Sequence, residues 1–349
     1  MINKILIIGP YRKGLKGGIY EVIRTFNAFH SNKLNIYNTI FFNNVYFNFL
    51  IFFLRIPYFL IKAKEFEIFH IHSATSGSFI RKFILANIIK TFYPSKEIII
   101  QVHSGKFIEF FEKNKYYRKI IKQTFDKAVA LIFITEKQHL FFSENGFKDK
   151  AYLTRNPIID RESFQRNPDK DLNIIFLGKI SKEKGVFDLI EAAYDLKDFL
   201  IEYNVKIFIA GAGETNLLKN KIKDKNIEQV ISYIGWVDHK EKERILRNSN
   251  LMVLPSYFEA MPMSILEGMS FGMPIIATNV GAIPNLVGDE NGRLISPGDI
   301  KALKQSLKYY VLDRNAIETA GNNSYRKSKI YFISNVNQQI CSIYKDLNY

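Results

Sequence analysis

The 349-residue chain is 47% hydrophobic and 24% charged, a globular balance that excludes a disordered or fibrous protein. At ~150 residues per domain the length suggests about two domains, each large enough to bury a core without staples. The single cysteine, Cys341, excludes an internal disulfide framework and disfavours a cysteine-based zinc site, so a reducing compartment is the simple reading. The formal net charge of +15 is uneven: residues 1–160 hold 24 Lys and Arg against 11 Asp and Glu, and 22 of the 30 phenylalanines, whereas residues 161–349 hold 25 against 23. Halves with such different surfaces are expected to face different partners.

In chain order, residues 4–8 read as a buried strand ending in Gly9-Pro10, too short for a signal-peptide core and without a cleavage site after it. Gly17-Gly18 open a helix over residues 19–30. Residues 45–61 are apolar but broken by Asn48, Arg55 and Pro57, short of the ~20 clean apolar residues of a membrane span. They read as buried or interfacial. A strand at 67–72, a polar loop at 73–78, a helix at 79–91, a strand at 97–102 ending in His103-Ser104-Gly105, a basic helix at 113–127 and a strand at 129–135 follow. Residues 155–171, polar and holding Pro157 and Pro168, read as a linker. The alternation then restarts, with strands at 173–177, 205–210, 230–233, 251–254 and 274–277. Strand–helix alternation of this kind predicts parallel sheets with helices on both faces, and ligands beyond the carboxyl ends of the strands.

The densest motif is Pro255-Ser256-Tyr257-Phe258-Glu259-Ala260-Met261-Pro262-Met263-Ser264-Ile265-Leu266-Glu267. Pro262 suits the first turn of a helix, which puts Glu259 in the loop before it and Glu267 inside it. Free amides at the helix start attract an anion. Spacing alone also admits two unrelated carboxylates, one at a helix N-terminus and one at a surface. The lysines of the 178–185 loop, Lys179 and Lys184, read on their own as a solvated loop. Gly211-Ala212-Gly213 follow a strand but lack the third glycine of a dinucleotide fingerprint, since position 216 is Asn. His70 and His72 share one strand face. Without a third ligand they read as cleft-lining or structural rather than metal-binding. Lys113, Lys115, Arg118, Lys119, Lys122 and Lys127 are interleaved with aromatic and aliphatic residues. They suit an anionic membrane surface or a plain solvated face, and no nucleic-acid motif accompanies them.

Taken in order, these segments resemble the retaining GT-B glycosyltransferases of family 4, also called glycosyl transferases group 1. The resemblance rests on Gly17-Gly18, His103, the stretch from Gly178 to Gly185, Gly211-Ala212-Gly213, the pair Glu259 and Glu267, Gly272-Met273-Pro274-Ile275-Ile276-Ala277-Thr278, and Asn291-Gly292 with Pro297-Gly298. Lys179 stands where the family usually has Arg, Ala260 where Gly is common, and Asn285 where Glu often follows Pro. The resemblance implies an α/β GT-B fold, two doubly wound Rossmann-like domains facing across a cleft. Residues 1–160 would be the acceptor domain, with helix 331–349 packing back on it, and residues 161–330 the nucleotide-sugar donor domain.

It further implies that Glu259 contacts the donor sugar, Glu267 the ribose, and Lys179 with Lys184 the diphosphate. Gly18, Gly211, Gly213, Met261, Pro262 and Met263 would complete the donor site, and His103 would touch the transferring sugar or the acceptor. Glu259, His103 and Lys184 are thus the catalytic candidates. No cofactor or metal is expected, because Asp169-Lys170-Asp171, which has the Asp-x-Asp form of metal-dependent folds, lies in the linker. The implied reaction moves a sugar from a UDP- or GDP-sugar to a lipid-linked or soluble saccharide, in surface-polysaccharide, capsule or O-antigen synthesis. The expected location is the cytoplasm, peripheral on the inner face of the cytoplasmic membrane, held there by Lys115, Arg118, Lys119 and Lys122. Rival readings are another enzyme of this fold, such as a nucleotide-sugar epimerase or a phosphorylase-like enzyme (no pyridoxal-phosphate lysine motif is evident), and a non-catalytic basic protein that binds membranes or polysaccharide.

Overall fold

The computed structural model describes residues 2–12, 14, 17–42, 44–163 and 171–347. The chain divides into two compact units, Met1–Ile159 with Ile333–Tyr349, and Asp160–Phe332. The first holds a parallel sheet of β1 (Ile5–Gly9), β2 (Asn35–Asn38), β3 (Ile68–Ser73), β4 (Glu97–Val102), β5 (Ala130–Phe133) and β6 (Ala151–Leu153). The strand order is β2-β1-β3-β4-β5-β6. β1 and β3 are buried along their whole length, as parallel strands covered on both faces must be. Much of the phenylalanine excess of the first half is core. Phe52, Phe59, Phe79, Phe107, Phe125 and Phe142 belong to one buried cluster, with edge-to-face pairs such as Phe125–Phe142 at 5.3 Å.

The basic helix Lys115–Asp126 turns Ile120, Ile121 and Phe125 into that cluster. It leaves Lys115, Arg118, Lys119 and Lys122 exposed. Of the interleaved aromatics, Phe110 and Phe111 are buried and only Tyr116 stands well out. The helix therefore offers charge but little apolar surface. The C-terminal helix Ile333–Asp346 lies on the first unit. Tyr344 Oη is 2.6 Å from His70 Nδ1, Asn337 Oδ1 is 2.9 Å from His30 Nε2, and Thr154 Oγ1 donates to Gln339 at 3.3 Å.

The second unit repeats the architecture with β7 (Leu172–Leu177), β8 (Val205–Ala210), β9 (Ile231–Gly235), β10 (Leu251–Leu254), β11 (Ile275–Thr278) and β12 (Gly292–Ile295). All are parallel, in the order β12-β11-β10-β7-β8-β9. The sequence pattern passes over β2, β6 and β12, three of the four sheet edges. Edge strands are half-covered and need no continuous apolar run, and Asn-Ile-Tyr-Asn or Gly-Arg-Leu-Ile offers none.

Residues 45–63 form two helices, Val45–Leu54 and Ile56–Ala63, bent by 49°. Asn44 caps the first, its side chain accepting from the amides of Tyr46 and Phe47. Pro57 sits in the first turn of the second, where its missing N–H costs nothing. Among the described residues no single helix is long and apolar enough to cross a membrane.

Candidate active site

In the second unit β7 and β10 are hydrogen-bonded neighbours, so the loops leaving their carboxyl ends meet. The β7 loop runs from Gly178 through a 3-10 turn, Lys182–Lys184, to Gly185, which is left-handed at φ 68°. A side chain there would place its Cβ 1.9 Å from the Pro255 carbonyl oxygen, so only glycine lets the loop close onto the β10 loop. Tyr257 N donates to Glu183 O at 2.9 Å across the same seam.

That closure brings Lys184 Nζ to 2.6 Å from Glu259 Oε1, and Ser256 Oγ donates to the same oxygen at 2.9 Å. Ser256 is fully buried and Glu259 is 8% exposed. The carboxylate is therefore fixed in orientation and neutralised by a lysine that keeps partial contact with solvent. Gly281, at φ 58°, abuts from behind, with 2.1 Å between its would-be Cβ and the Glu259 carbonyl oxygen. Ala282 N donates to Ala260 O at 2.8 Å.

Pro262 is the residue before the helix Met263–Ser270 rather than within its first turn. The open amides of that helix start follow Glu259, Ala260 and Met261 directly. Glu267, one turn on, receives a 2.6 Å ion pair from Lys242 Nζ, with both side chains largely buried. Sequence reading missed Lys242, which sits on the helix His239–Asn248. It also missed the Ser256 bond and the pairing of Tyr257 with Asp188, where the shared hydrogen bond raises the phenol and burial raises the carboxyl.

Lys179 is exposed on the same loop and takes part in no ion pair among the described residues. Gly211 and Gly213 pack against it from β8. Their would-be Cβ atoms fall 1.8 Å from Gly178 O and 2.2 Å from Ile180 O, so the need for glycine there is explained by close loop packing. Met261 is buried and Met263 half-buried beside the helix start. Asp169 lies outside the described residues, and Asp171 is exposed just before β7. Among the described residues no group of three or more His, Cys, Asp and Glu could hold a metal.

In the first unit Gly18 is the first residue of the helix Gly18–Phe29, with open space where a side chain would go. His103 follows β4, and its Nε2 lies 2.9 Å from His72 Nδ1. His70 stacks on His72 at 4.6 Å and 18°, and His72 on His103 at 5.1 Å and 21°. Burial lowers all three, His70 to about 4 and His103 to about 3. His70 and His72 thus belong to a packed neutral row whose other partners include Tyr344.

The family model of glycosyl transferases group 1 matches residues 159–327, nearly the whole second unit. A 41.2 kDa protein of the cps region of Klebsiella pneumoniae is 22% identical over 290 residues, covering 77% of each chain. The capsular polysaccharide biosynthesis glycosyltransferase CapM of Staphylococcus aureus is 27% identical over 202 residues, 56% of this chain and 51% of CapM. The Anabaena protein HepE, solved with UDP, superimposes with a TM-score of 0.76 at 15% identity, over 98% of this chain and 100% of HepE. That likeness establishes the fold. Fold and family match agree: the protein is a glycosyltransferase of GT-B architecture. The match to the glycosyl transferases group 1 model lies in the second unit.

Proposed function

We propose that the protein transfers a sugar from a nucleotide sugar to a saccharide acceptor, with retention at the anomeric carbon. The observation that carries this reading is the pair of lysine-held carboxylates, Glu259 with Lys184 and Glu267 with Lys242, at the carboxyl end of the second sheet. A carboxylate accepts paired hydroxyl hydrogen bonds well. Glu267, held by Lys242, suits the two ribose hydroxyls, and Glu259 suits a sugar hydroxyl. A donor diphosphate competes for Lys184 and frees the Glu259 oxygen that Lys184 covers, while Ser256 keeps the carboxylate aimed. The amides at the start of Met263–Ser270 and Lys179 supply further positive potential. Gly18 and His103 of the first unit are assigned to the donor and to the transferring sugar or acceptor, as the family resemblance implies.

As the anomeric bond to the diphosphate breaks, its electron pair goes to the phosphate oxygen, and Lys184 stabilises that charge. The acceptor oxygen bonds to the same face of the anomeric carbon, and its proton passes to the leaving phosphate. HepE, solved with UDP and with UDP-glucose, and CapM, a capsular polysaccharide enzyme, favour a UDP-sugar donor and a role in capsule or related polysaccharide synthesis. The acceptor is assigned as a lipid-linked saccharide at the cytoplasmic membrane. There the exposed Lys115, Arg118, Lys119 and Lys122 add attraction to anionic lipid.

Glu267→Ala is expected to weaken UDP binding about tenfold, the loss of one or two charge-assisted hydrogen bonds. Isothermal titration checks this, and unchanged affinity would place the ribose elsewhere. Turnover is expected to persist in EDTA, because the lysines supply the leaving-group charge that a metal supplies in other folds. Complete loss restored by manganese would overturn a metal-free site.

A further inference from the structure

The helix pair Val45–Leu54 and Ile56–Ala63 is held to the first unit by Phe52 and Phe59, both buried in the aromatic cluster. Its other side is bare. Tyr46 (86% exposed), Phe47, Leu50, Phe53 and Leu54 lie outward on the first helix, and Tyr58 and Ile61 on the second. On the first helix they recur at positions 46, 50, 53 and 54, one continuous face. Phe42 extends the patch at its start. A contiguous apolar surface of this kind marks an interaction site rather than ordinary scatter.

The helix pair itself carries only positive charge, and the first carboxylate after it is Glu65. Residues 22–64 contain five Lys and Arg and no Asp or Glu. Lys62 and Lys64 end the second helix, where Lys96 Nζ also donates to the carbonyls of Ala63 at 3.2 Å and Lys64 at 2.7 Å. Beneath the first helix, on Ser76–Phe92, lie Arg81 and Lys82, both buried. The Arg81 guanidinium faces the Phe49 ring at 5.3 Å, and Lys82 Nζ donates to Thr39 Oγ1 at 2.9 Å. Neither forms an ion pair with a carboxylate among the described residues. Both are sealed from the surface, so the cations open to a partner at this face are Lys62 and Lys64.

A second copy of the chain would cover the apolar face but would set these cations against their own kind. An anionic bilayer matches both features, apolar depth for the rings and phosphate for the cations. Neither helix alone, at about 15 and 12 Å, is long enough to cross, and Phe52 and Phe59 hold the bent pair against the core. We infer that the helix pair Val45–Ala63 is a membrane-inserting element that seats the first unit on an anionic phospholipid surface. The inference rests on the lipid-linked acceptor reading for its purpose and adds to it the element that does the docking. It differs from docking through Lys115–Asp126 alone, since that helix has its apolar side in the core.

Flotation of the full chain with vesicles of phosphatidylglycerol and phosphatidylcholine tests this. Leu50→Glu with Phe53→Glu is expected to reduce partitioning on the order of a hundredfold, about tenfold per apolar side chain withdrawn from the bilayer. Leu54→Ser with Ile61→Ser, which withdraws two apolar side chains without adding charge, is expected to reduce it by up to about the same factor. Lys115→Glu with Arg118→Glu, Lys119→Glu and Lys122→Glu is expected to cause a smaller loss that high salt abolishes. Equal flotation of wild type and both helix-pair variants would overturn the proposal. So would no flotation of wild type, or a wild-type dimer that light scattering shows to be lost in the variants. UDP binding, measured separately by titration, is expected to be the same in all of them. A docking failure thus leaves the transfer reading intact, and a UDP failure leaves the docking result intact.

Discussion

Replacing Glu259 by Gln is expected to lower turnover on the order of a hundredfold or more while UDP affinity stays within a few fold. The amide keeps the shape of the side chain and can still accept from Ser256 Oγ, which now lies 2.9 Å from the carboxylate. What it loses is the charge that pairs with Lys184 and that the proposed mechanism sets against the positive charge developing at the anomeric carbon. Lys184 retains solvent contact, with its side chain 25% exposed, so the vacated pair leaves no sealed charge and the fold should survive. Lys184→Ala is the contrasting case. It removes charge from the leaving group and is expected to reduce both UDP affinity and turnover. Gly281→Ala is expected to mimic the Glu259 defect without touching the carboxylate, because the new Cβ would push on the Glu259 carbonyl. Steady-state kinetics beside titration with UDP separates these outcomes. Full turnover in Glu259→Gln would remove Glu259 from the sugar, and an equal loss of UDP affinity would move it to the diphosphate.

The partners of this site explain why part of it was legible in the sequence and part was not. Glu259 stood out because it lies in one short segment with Pro262 and Glu267, a local pattern. Its pairing with Lys184, 75 residues earlier, depends on β7 lying beside β10, and strand order leaves no trace in spacing. Lys242 lay hidden for another reason. In His239-Lys240-Glu241-Lys242-Glu243 charges alternate, and only the helix's docking decides which lysine turns inward to Glu267. The interior strands were readable because burial on both faces demands unbroken apolar runs. The edges β2, β6 and β12 escaped because half-cover relaxes that demand. Composition misled in one respect. Phe110, Phe111, Tyr116 and Tyr117 beside the lysines of residues 113–127 suggested an aromatic interface, whereas Phe110 and Phe111 turn into the core.

Acid is expected to destabilise the first unit steeply between pH 6.5 and about 4, through the histidine row of β3 and His103. Burial is the main cause of the lowered affinity of all three rings for a proton, and His72 is further depressed by His70, His103 and Lys82. The side chains that face the row, Tyr344, Gln101 and Asn156, are neutral, so no carboxylate offsets a proton taken up there. Above the unfolded value of ~6.5 both states are neutral and the row contributes no pH dependence. Below it the unfolded chain binds protons that the folded row refuses, until His70 accepts one near pH 4. Stability must then fall as pH falls, by about 1.4 kcal/mol per pH unit for each histidine, several kcal/mol in all by pH 4.5. Lys82, held down to about 7 by burial, exerts its own linkage between pH 10.5 and 7 and adds nothing in this window. Urea unfolding at a series of pH values, wild type against His70→Gln, isolates the effect from general acid denaturation. The variant is expected to show a shallower fall, by about one proton's worth of slope. Identical slopes would mean that His70 is not buried as a neutral ring, and with it would go the packing of the C-terminal helix through Tyr344.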